Sequence, residues 1–278
     1  MNHNKITALY GLKWNPFTPD LPIEGLQKTA AIENFFFRVE SLALEGGFAL
    51  LTGDPGLGKS VTLRLLTDRL AQIREISVGE LTRPQSSTAD FYREMGSLFS
   101  VDLKAANRYG GHKALRIKWQ AHLESTLIRP VLIIDEAQEM HPHVLSELRL
   151  MSSAKFDSVA LLTVVLAGDH RLTEKLKLPE LIPLGSRMRV RHQMELLTKS
   201  ELTILLEESM YRAGNPNLMT KELIATLADH SLGNPRVCMN MATQLLTTGV
   251  QKEAQLLDAK LFFEMFPKSH QPKAARKH

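Results

Sequence analysis

The sequence lacks several features that would assign it to other classes of protein. Its single cysteine, Cys238, cannot form an internal disulfide, which favours a reducing compartment. Cys238 is better explained as a small buried residue than as a nucleophile. It has no apolar run of about 18 residues and no signal-peptide segment near its start. Internal repeats and low-complexity blocks are also missing. These absences argue against secreted, membrane-spanning and repeat proteins and predict a cytoplasmic protein with no membrane partner.

Length and charge leave room for a globular protein with an anionic partner. The 278 residues are 44% hydrophobic and 23% charged, which is enough for one large or two modest domains. The net charge is only +4, but the basic residues are unevenly distributed. Residues 101–130 contain six Lys and Arg residues and only two acidic ones, and residues 268–278 contain four basic residues and no acidic one. Such patches favour an anionic polymer as partner, although an ordinary solvated surface explains them equally well.

Residues 53–60, GDPGLGKS, match the pattern GxxxxGK[ST] in full. Glycines at this spacing let backbone N–H groups surround phosphate oxygens, and the following helix adds the positive end of its dipole. Lys59 then reaches the β- and γ-phosphates, and the Ser60 hydroxyl binds Mg²⁺. An apolar strand precedes the loop and a helical pattern follows it, which disfavours a chance match. The predicted ligands are ATP and Mg²⁺, and the predicted contacts are Gly53, Asp54, Pro55, Gly56, Leu57, Gly58, Lys59, Ser60 and Val61.

A second motif, residues 131–136 (VLIIDE), places two carboxylates after four apolar residues. This run predicts a strand buried on both faces, and ligands bind at the carboxyl ends of such strands. We expect Asp135 to bind Mg²⁺, directly or through water, and Glu136 to activate the water that attacks the γ-phosphate. A coincidental Asp-Glu at a strand end is the alternative.

The order of elements predicts an α/β protein. Strand-like segments alternate with helical ones at 48–52, 74–78, 131–134, 159–167 and 189–194, which predicts a parallel sheet between helices. After residue 197 the strands stop, and helices are predicted at 198–213, 220–230, 235–248 and 257–266. We therefore expect a leader at 1–45, an α/β nucleotide-binding core at 46–196, a small all-helical lid at 197–267 and a basic, disordered tail at 268–278.

Three further side chains are candidates for the nucleotide site. Asp169 follows an apolar strand and could contact the γ-phosphate or the attacking water, although a plain strand-end turn is equally consistent. Arg187 precedes the last strand and could neutralise charge at a neighbouring subunit's nucleotide, unless it is a solvent-exposed strand arginine. Arg236 follows a Gly-Asn-Pro turn at the start of a lid helix and could reach the γ-phosphate of its own subunit, with a surface arginine as the alternative. His141 and His143 make only a weak metal motif.

Taken together, residues 53–60, 134–138, 166–169, 186–187 and 233–236 resemble the AAA+ superfamily of ATPases. The acidic motif also resembles the DExx box of helicases, but those enzymes need two such cores, and ABC-type ATPases need an LSGGQ-like segment that is missing here. Within the AAA+ superfamily, residues 10–17 and the IDEAQ box resemble two related groups. These are the ExeA-type ATPases of secretion systems and the transposition helper ATPases of the IstB/TniB/TnsC type.

The resemblance implies a specific activity. Secretion members of the ExeA group typically add a membrane span and a wall-binding module, which this sequence does not show, so we expect the transposition helper type. Such proteins bind ATP between subunits, assemble as rings or helical filaments on double-stranded DNA and recruit a separate transposase, and hydrolysis disassembles or repositions the filament. A secretion-associated assembly ATPase that binds protein or peptidoglycan, and a replication-type loader or initiator ATPase, remain alternatives.

The same resemblance locates the DNA contacts between the second strand and the acidic-box strand. In this segment the candidates surround Gly110 and Gly111, which we expect to be flexible. Basic side chains there would contact phosphates and give sequence-tolerant, salt-sensitive binding. The predicted DNA-binding residues are Lys104, Arg108, Tyr109, Lys113 and Arg116.

Overall fold

The computed structural model describes residues 3–101, 108–155 and 158–267. The chain divides into two compact units, which we name the core unit, residues 28–195, and the helical unit, residues 1–27 together with 196–278. The segment predicted as a leader, residues 1–45, is therefore shared between the two units. Tyr10 and Phe17 belong to the apolar cluster of the helical unit, whereas the helix that contains Phe36 packs on the sheet of the core unit.

Five parallel strands form the main sheet of the described core unit, in the order β2-β3-β6-β1-β7. A second, antiparallel pair joins the two-residue strands β4 and β5. The strands are β1 (Gly47–Thr52), β2 (Ile76–Leu81), β3 (Arg129–Ile134), β4 (Ser153–Ala154), β5 (Val159–Ala160), β6 (Thr163–Gly168) and β7 (Met188–Gln193). The predicted parallel sheet between helices is confirmed.

The helices of the described residues surround this sheet or build the helical unit. They are α1 (His3–Tyr10), α2 (Ala30–Glu45), α3 (Lys59–Ala71), α4 (Thr88–Leu98), α5 (Arg108–Ala121), α6 (Pro142–Met151), α7 (His170–Lys175), α8 (Ile182–Gly185), α9 (Lys199–Ala213), α10 (Lys221–His230), α11 (Pro235–Gln251) and α12 (Ala259–Met265). Short helical turns lie at Ile23–Gly25, His122–Thr126 and Ala137–Glu139.

Burial explains why the central strands form where the sequence predicts them. All six residues of β6 are buried, as are the last five of β3, because helices cover both faces of the sheet. Two predicted strands differ in detail. Residues 73–76 make a turn, so β2 begins later than predicted, at Ile76. The segment predicted as one strand at 159–167 is split, since Val159 and Ala160 pair with β4 instead of joining β6.

The helical unit has its own apolar core, formed by α1 and α9–α12. Thr198 and Glu201 form a reciprocal capping box at the start of α9. Helix α11 begins at Pro235, where Asn234 accepts hydrogen bonds from the N–H groups of Arg236 and Val237. The helical region predicted after residue 197 is therefore confirmed. In the part of the chain that the structure describes, no helix combines the length and the apolar character needed to cross a membrane.

Candidate nucleotide site

The ends of β1, β6 and β3 bring the predicted motifs to one edge of the sheet. Thr52 at the end of β1 pairs with Gly168 at the end of β6, and Ile134 at the end of β3 pairs with Leu166. Because β3 ends two residues before this level, the chain that follows it, Asp135 and Glu136, extends to the same edge. The parallel strands thus place the phosphate loop and the two carboxylates at the same edge of the sheet, with the end of β6 between them.

The phosphate loop has the backbone that phosphate binding requires. Gly56 and Gly58 have φ angles of 93° and 99°, a region that other residues rarely adopt. Lys59 begins helix α3, so the first N–H groups of that helix are not used within it and point towards the loop. A side-chain carbon at Gly58 would make an ordinary van der Waals contact with the Met194 methyl group at 3.7 Å, so the positive φ, rather than crowding, is what favours glycine there. This geometry fits a phosphate group.

Lys59 lies inside the loop, with only 6% of its surface exposed. Its Nζ donates hydrogen bonds to the carbonyl oxygens of Gly53 at 2.7 Å and Asp54 at 3.1 Å. The lysine charge is therefore held on the concave side of the loop. A charged ammonium at this position can pair with the phosphates that the backbone amides surround.

Ser60 and Asp135, the predicted Mg²⁺ ligands, carry oxygen atoms of the kind that this ion prefers. The Ser60 side chain is exposed at the start of α3, and Asp135 is half-buried at the end of β3. Mg²⁺ is usually held by one or two protein oxygens together with substrate phosphates, so this pair fits the ion. Across the described ranges, no group of three or more His, Cys, Asp or Glu residues is arranged to hold a metal ion.

Glu136 is exposed and has a left-handed backbone conformation with φ 50°. Its N–H donates to Asp135 Oδ1 at 2.9 Å, and its carboxylate accepts a hydrogen bond from the Gln138 side chain. Gln138 is 4% exposed, and its Oε1 accepts the backbone N–H of Asp169 at 3.3 Å. The side chain of Gln138 thus joins the end of β3 to the end of β6. Gln138 was part of the IDEAQ motif, but the sequence alone assigned it no role.

Asp169 is buried and caps helix α7. Its carboxylate accepts the N–H of Arg171 at 2.9 Å and the Arg171 Nε at 2.9 Å. Burial alone would raise the pKa of Asp169, but the hydrogen bonds and charge of Arg171, with the charge of His170, hold it below its usual value. These contacts fit the plain strand-end turn that the sequence analysis gave as the alternative. A contact with the γ-phosphate or water stays a prediction.

Three arginines occupy alternate positions around the start of β7. The Nη1 of Arg187 donates to the carbonyl oxygen of Pro183, and the side chain is half-buried. Arg189 forms an ion pair with Glu45, and Arg191 Nη2 donates to Gly185 O at 2.7 Å. Arg187 is thus placed between α8 and β7. Its action on a neighbouring subunit's nucleotide stays a prediction.

Arg236 belongs to the helical unit. Gly233 has φ 83°, Asn234 caps the helix and Pro235 occupies its first position, so the predicted turn is present. The Arg236 side chain is exposed at the first turn of α11. Its contact with the γ-phosphate remains a prediction.

The predicted DNA-binding residues fall on or near α5. Lys104 lies outside the described residues, and for Arg108 and Tyr109 the structure describes the helical backbone only. Gly110 and Gly111, expected to be flexible, are within the helix. Among the described basic side chains of this helix, Lys113 is exposed, Arg116 Nη1 donates to Leu150 O at 3.3 Å, and Lys118 Nζ donates to Ser100 O at 3.0 Å. Leu115 and Trp119 of the same helix are fully buried.

Met194 is a contact of the phosphate loop that the sequence did not reveal. Its N–H donates to Thr52 O at 2.7 Å, which continues the pairing of β1 beyond β7. A side-chain carbon at Gly53 would lie 2.9 Å from Met194 Cβ, so a residue larger than glycine would displace this segment. The Met194 sulfur also lies 3.9 Å from Thr62 Oγ1. Only the fold reveals this contact, since the two segments are far apart in the chain.

Known proteins share sequence with this chain. Residues 43–176 match a family model described as an AAA domain. General secretion pathway protein A of Aeromonas hydrophila is 31% identical over 196 residues, which cover 69% of this chain and 35% of that protein. The chain therefore spans about a third of that relative's length.

Solved structures show the same fold. ORC2 of Aeropyrum pernix matches with a TM-score of 0.70 and 13% identity, over 92% of this chain and 72% of that one. ORC1 of the same organism, in complex with DNA, matches with a TM-score of 0.66 and 16% identity, over 90% and 67%. RuvB of Thermotoga maritima, a Holliday junction branch migration motor, matches with a TM-score of 0.58 and 16% identity, over 90% and 72%. The predicted AAA+ fold and ATPase class are confirmed, and the transposition helper type remains a prediction.

Proposed function

Starting from an AAA+ ATPase domain, we propose that this protein binds and hydrolyses ATP to control its own assembly on duplex DNA, and that the assembly recruits a transposase to target DNA. The observation that carries the ATP-dependent part is the shared edge of β1, β3 and β6. The phosphate loop with Lys59 lies at this edge together with the consecutive carboxylates Asp135 and Glu136, and the end of β6 lies between them. We place the protein in the cytoplasm.

Each residue has one task in the proposed reaction. The backbone N–H groups of the loop and Lys59 bind the phosphates, and Ser60 and Asp135 hold Mg²⁺. A Mg²⁺ ion held there would supply positive charge against the charge that develops on the phosphate oxygens. Glu136 accepts a proton from the attacking water as the water oxygen bonds to the γ-phosphorus and the bond to the ADP oxygen breaks. Arg187 stabilises the same charge at the nucleotide of a neighbouring subunit.

The proposed DNA contact rests on α5 and on charge. Helix α5 buries one side and carries Lys113 and Arg116 on its more accessible sides. Basic side chains without a base-reading motif give phosphate contacts, which bind duplexes of many sequences. The A. pernix ORC1 structure is a complex with DNA, which shows that a protein of this fold can bind DNA. We extend this property to the present chain as part of the proposal.

The transposase is the proposed partner because the motifs resemble those of transposition helper ATPases. An assembly that grows with ATP and shrinks after hydrolysis would present many equivalent surfaces to such an enzyme. We propose a ring or a helical filament, since AAA+ sites that use an arginine in trans need a neighbouring subunit.

A second candidate function is favoured by the similarity to General secretion pathway protein A. In that case the same ATP-driven assembly would act on protein or peptidoglycan partners rather than DNA. A replication-type loader or initiator is also compatible with the fold of the ORC proteins. Both alternatives share the nucleotide site and differ in the partner.

Electron microscopy of the protein with Mg²⁺, ATP and linear duplex DNA tests the proposal. We expect rings or filaments that enclose or follow the duplex with ATP, and their loss when ADP replaces ATP. Strand transfer by a transposase encoded beside this gene should increase only in the ATP state. If the protein assembles with ATP whether or not DNA is present, and the assembled protein binds purified peptidoglycan, the secretion-associated function would be favoured.

A further inference from the structure

The carboxylate of Glu136 is held by a buried amide. Gln138 Nε2 donates to Glu136 Oε2, and Gln138 Oε1 accepts the backbone N–H of Asp169 at 3.3 Å. A carboxamide has a donor at one end and an acceptor at the other, so this orientation satisfies both partners at once. The side chain is only 4% exposed. A substitution that removes either hydrogen bond would therefore leave a buried polar group unsatisfied, which is costly.

We propose that Gln138 is a positioning residue that sets the orientation of the Glu136 carboxylate and couples it to the end of β6. The inference rests on the proposed function, in which Glu136 activates the attacking water. Glu136 has a left-handed backbone with φ 50°, and its carboxylate accepts a hydrogen bond from Gln138 Nε2. A charge-assisted hydrogen bond of this kind restrains the orientation of a carboxylate. The Gln138 donor supplies that restraint.

The surroundings of Gln138 are built to accept it. Gly168 at the end of β6 has no side chain, and a carbon added there would collide with Gln138 Oε1 and with Leu172. Any larger residue at position 168 would therefore displace the amide. Absence of a side chain at this strand end lets the glutamine cross from β3 to β6.

Side chains of α7 also hold the main chain around Gln138. Lys175 Nζ donates to Gln138 O and, at 2.8 Å, to Met140 O, while Arg171 pairs with Glu139 at 2.9 Å. Burial lowers the pKa of Lys175, with the charge of Glu139 acting in the opposite direction. Side chains on α7 therefore hold the turn Ala137–Glu139 in place, which fixes the main-chain position from which the Gln138 side chain extends.

A cavity of about 870 Å³ lies next to this arrangement and is lined by Glu136, Glu139, Gln85 and Arg93 among others. Gln85 Nε2 donates to Glu139 Oε2 at 3.3 Å and does not contact Glu136. Replacing Gln85 by methionine is a matched control, because it removes an amide of the same kind from the same cavity without touching the proposed catalytic carboxylate.

The test compares Gln138→Met, which loses both contacts, with Gln138→Glu, which keeps an acceptor for the Asp169 N–H but has no donor for Glu136. Single-turnover ATP hydrolysis, binding of a fluorescent ATP analogue and thermal unfolding are measured for each. We expect hydrolysis to fall roughly ten- to hundredfold in both variants with analogue affinity nearly unchanged, because a misoriented base costs rate rather than binding. Gln85→Met should hydrolyse ATP at the wild-type rate.

A double-mutant cycle with Glu136→Gln separates positioning from structural support. If Gln138 acts through Glu136, adding Gln138→Met to Glu136→Gln should slow hydrolysis no further. The inference would be overturned if Gln138→Met slowed hydrolysis by the same factor in the Glu136→Gln background as in wild type, or if Gln138→Glu hydrolysed ATP at the wild-type rate. Either result would leave the proposed function intact. If Gln138→Met does not fold, the Gln138→Glu rate and its cycle with Glu136→Gln decide the same question. A wild-type protein that hydrolyses no ATP would overturn the proposed function and this inference together.

Discussion

The ammonium group of Lys59 lies 2.7 Å from the carbonyl oxygen of Gly53, the first residue of the phosphate loop. The lysine thus spans the loop from the first turn of α3 back to the end of β1. With Asp54 O as a second acceptor at 3.1 Å, the charge is held where phosphate oxygens would enter. The loop and its lysine form one preorganised unit, which reduces the cost of ordering on binding.

We expect Lys59→Met to weaken binding of Mg²⁺-ATP by roughly ten- to hundredfold, because a charge-assisted hydrogen bond contributes about 1.5–3 kcal/mol. Titration of a fluorescent ATP analogue measures the change. Arg64→Met is the control, since Arg64 is exposed on the same helix. Equal affinity in Lys59→Met and wild type would remove the lysine from the phosphate site.

Arg187→Ala should lower ATP turnover and leave ATP binding near the wild-type value, because the proposed contact forms at a neighbour's nucleotide. The informative measurement mixes Arg187→Ala subunits with Glu136→Gln subunits. Neither hydrolyses ATP well alone, but a site with intact Glu136 that faces an intact Arg187 from the other variant should regain activity. Arg189→Ala, at the next alternate position and paired with Glu45, should stay active without mixing. A mixture with no more activity than its parts would argue against action in trans.

The cap of α7 gives a prediction about pH. The pKa of Asp169 is held below its ordinary value, so its charged form stabilises the fold above the unfolded pKa of about 4, and this contribution is lost as pH falls through the lower folded pKa. Asp169→Asn should therefore be less stable than wild type at neutral pH, by about 1 kcal/mol. Urea unfolding at several pH values should show the difference shrinking below about pH 4. Glu174→Gln, in the exposed pair with Lys177 on the same helix, should show almost no such difference.

Helix α5 predicts how DNA binding responds to salt. Each phosphate contact that is lost should lower the slope of log affinity against log salt by about one. Lys113→Ala and Arg116→Ala should each reduce the slope for duplexes of any sequence, and the Lys177→Ala control should not, because Lys177 is already paired with Glu174. Fluorescence anisotropy of a labelled duplex over a salt series measures the slopes. Unchanged slopes in both α5 variants would place the DNA contacts elsewhere.

Much of the fold follows from local patterns in the sequence. The phosphate loop requires a strand before it and a helix after it, and the run before Asp135 is apolar enough to be buried on both faces. Helices α9–α11 directly follow Thr198, Thr220 and Asn234, which cap them through their side chains. These signals lie within a few residues of the structure that they determine.

The remaining features depend on contacts between distant segments. Nothing near Tyr10 or Phe17 reveals that the first 27 residues join the helical unit, because their partners lie about 200 residues later. The amide of Gln138 could be recognised as a link only after β3 and β6 were placed side by side. Asp169 could be predicted at a strand end, but its pairing with Arg171 depends on the start of α7.

The bound nucleotide is proposed to control the affinity of this protein for duplex DNA. Fluorescence anisotropy of a labelled duplex at low salt tests this claim most directly. Wild type should bind tightly with Mg²⁺-ATP and weakly with ADP. Glu136→Gln should remain bound after ATP is added, because slower hydrolysis prolongs the ATP state. An affinity for the duplex that is the same with ATP, with ADP and without nucleotide would contradict the account.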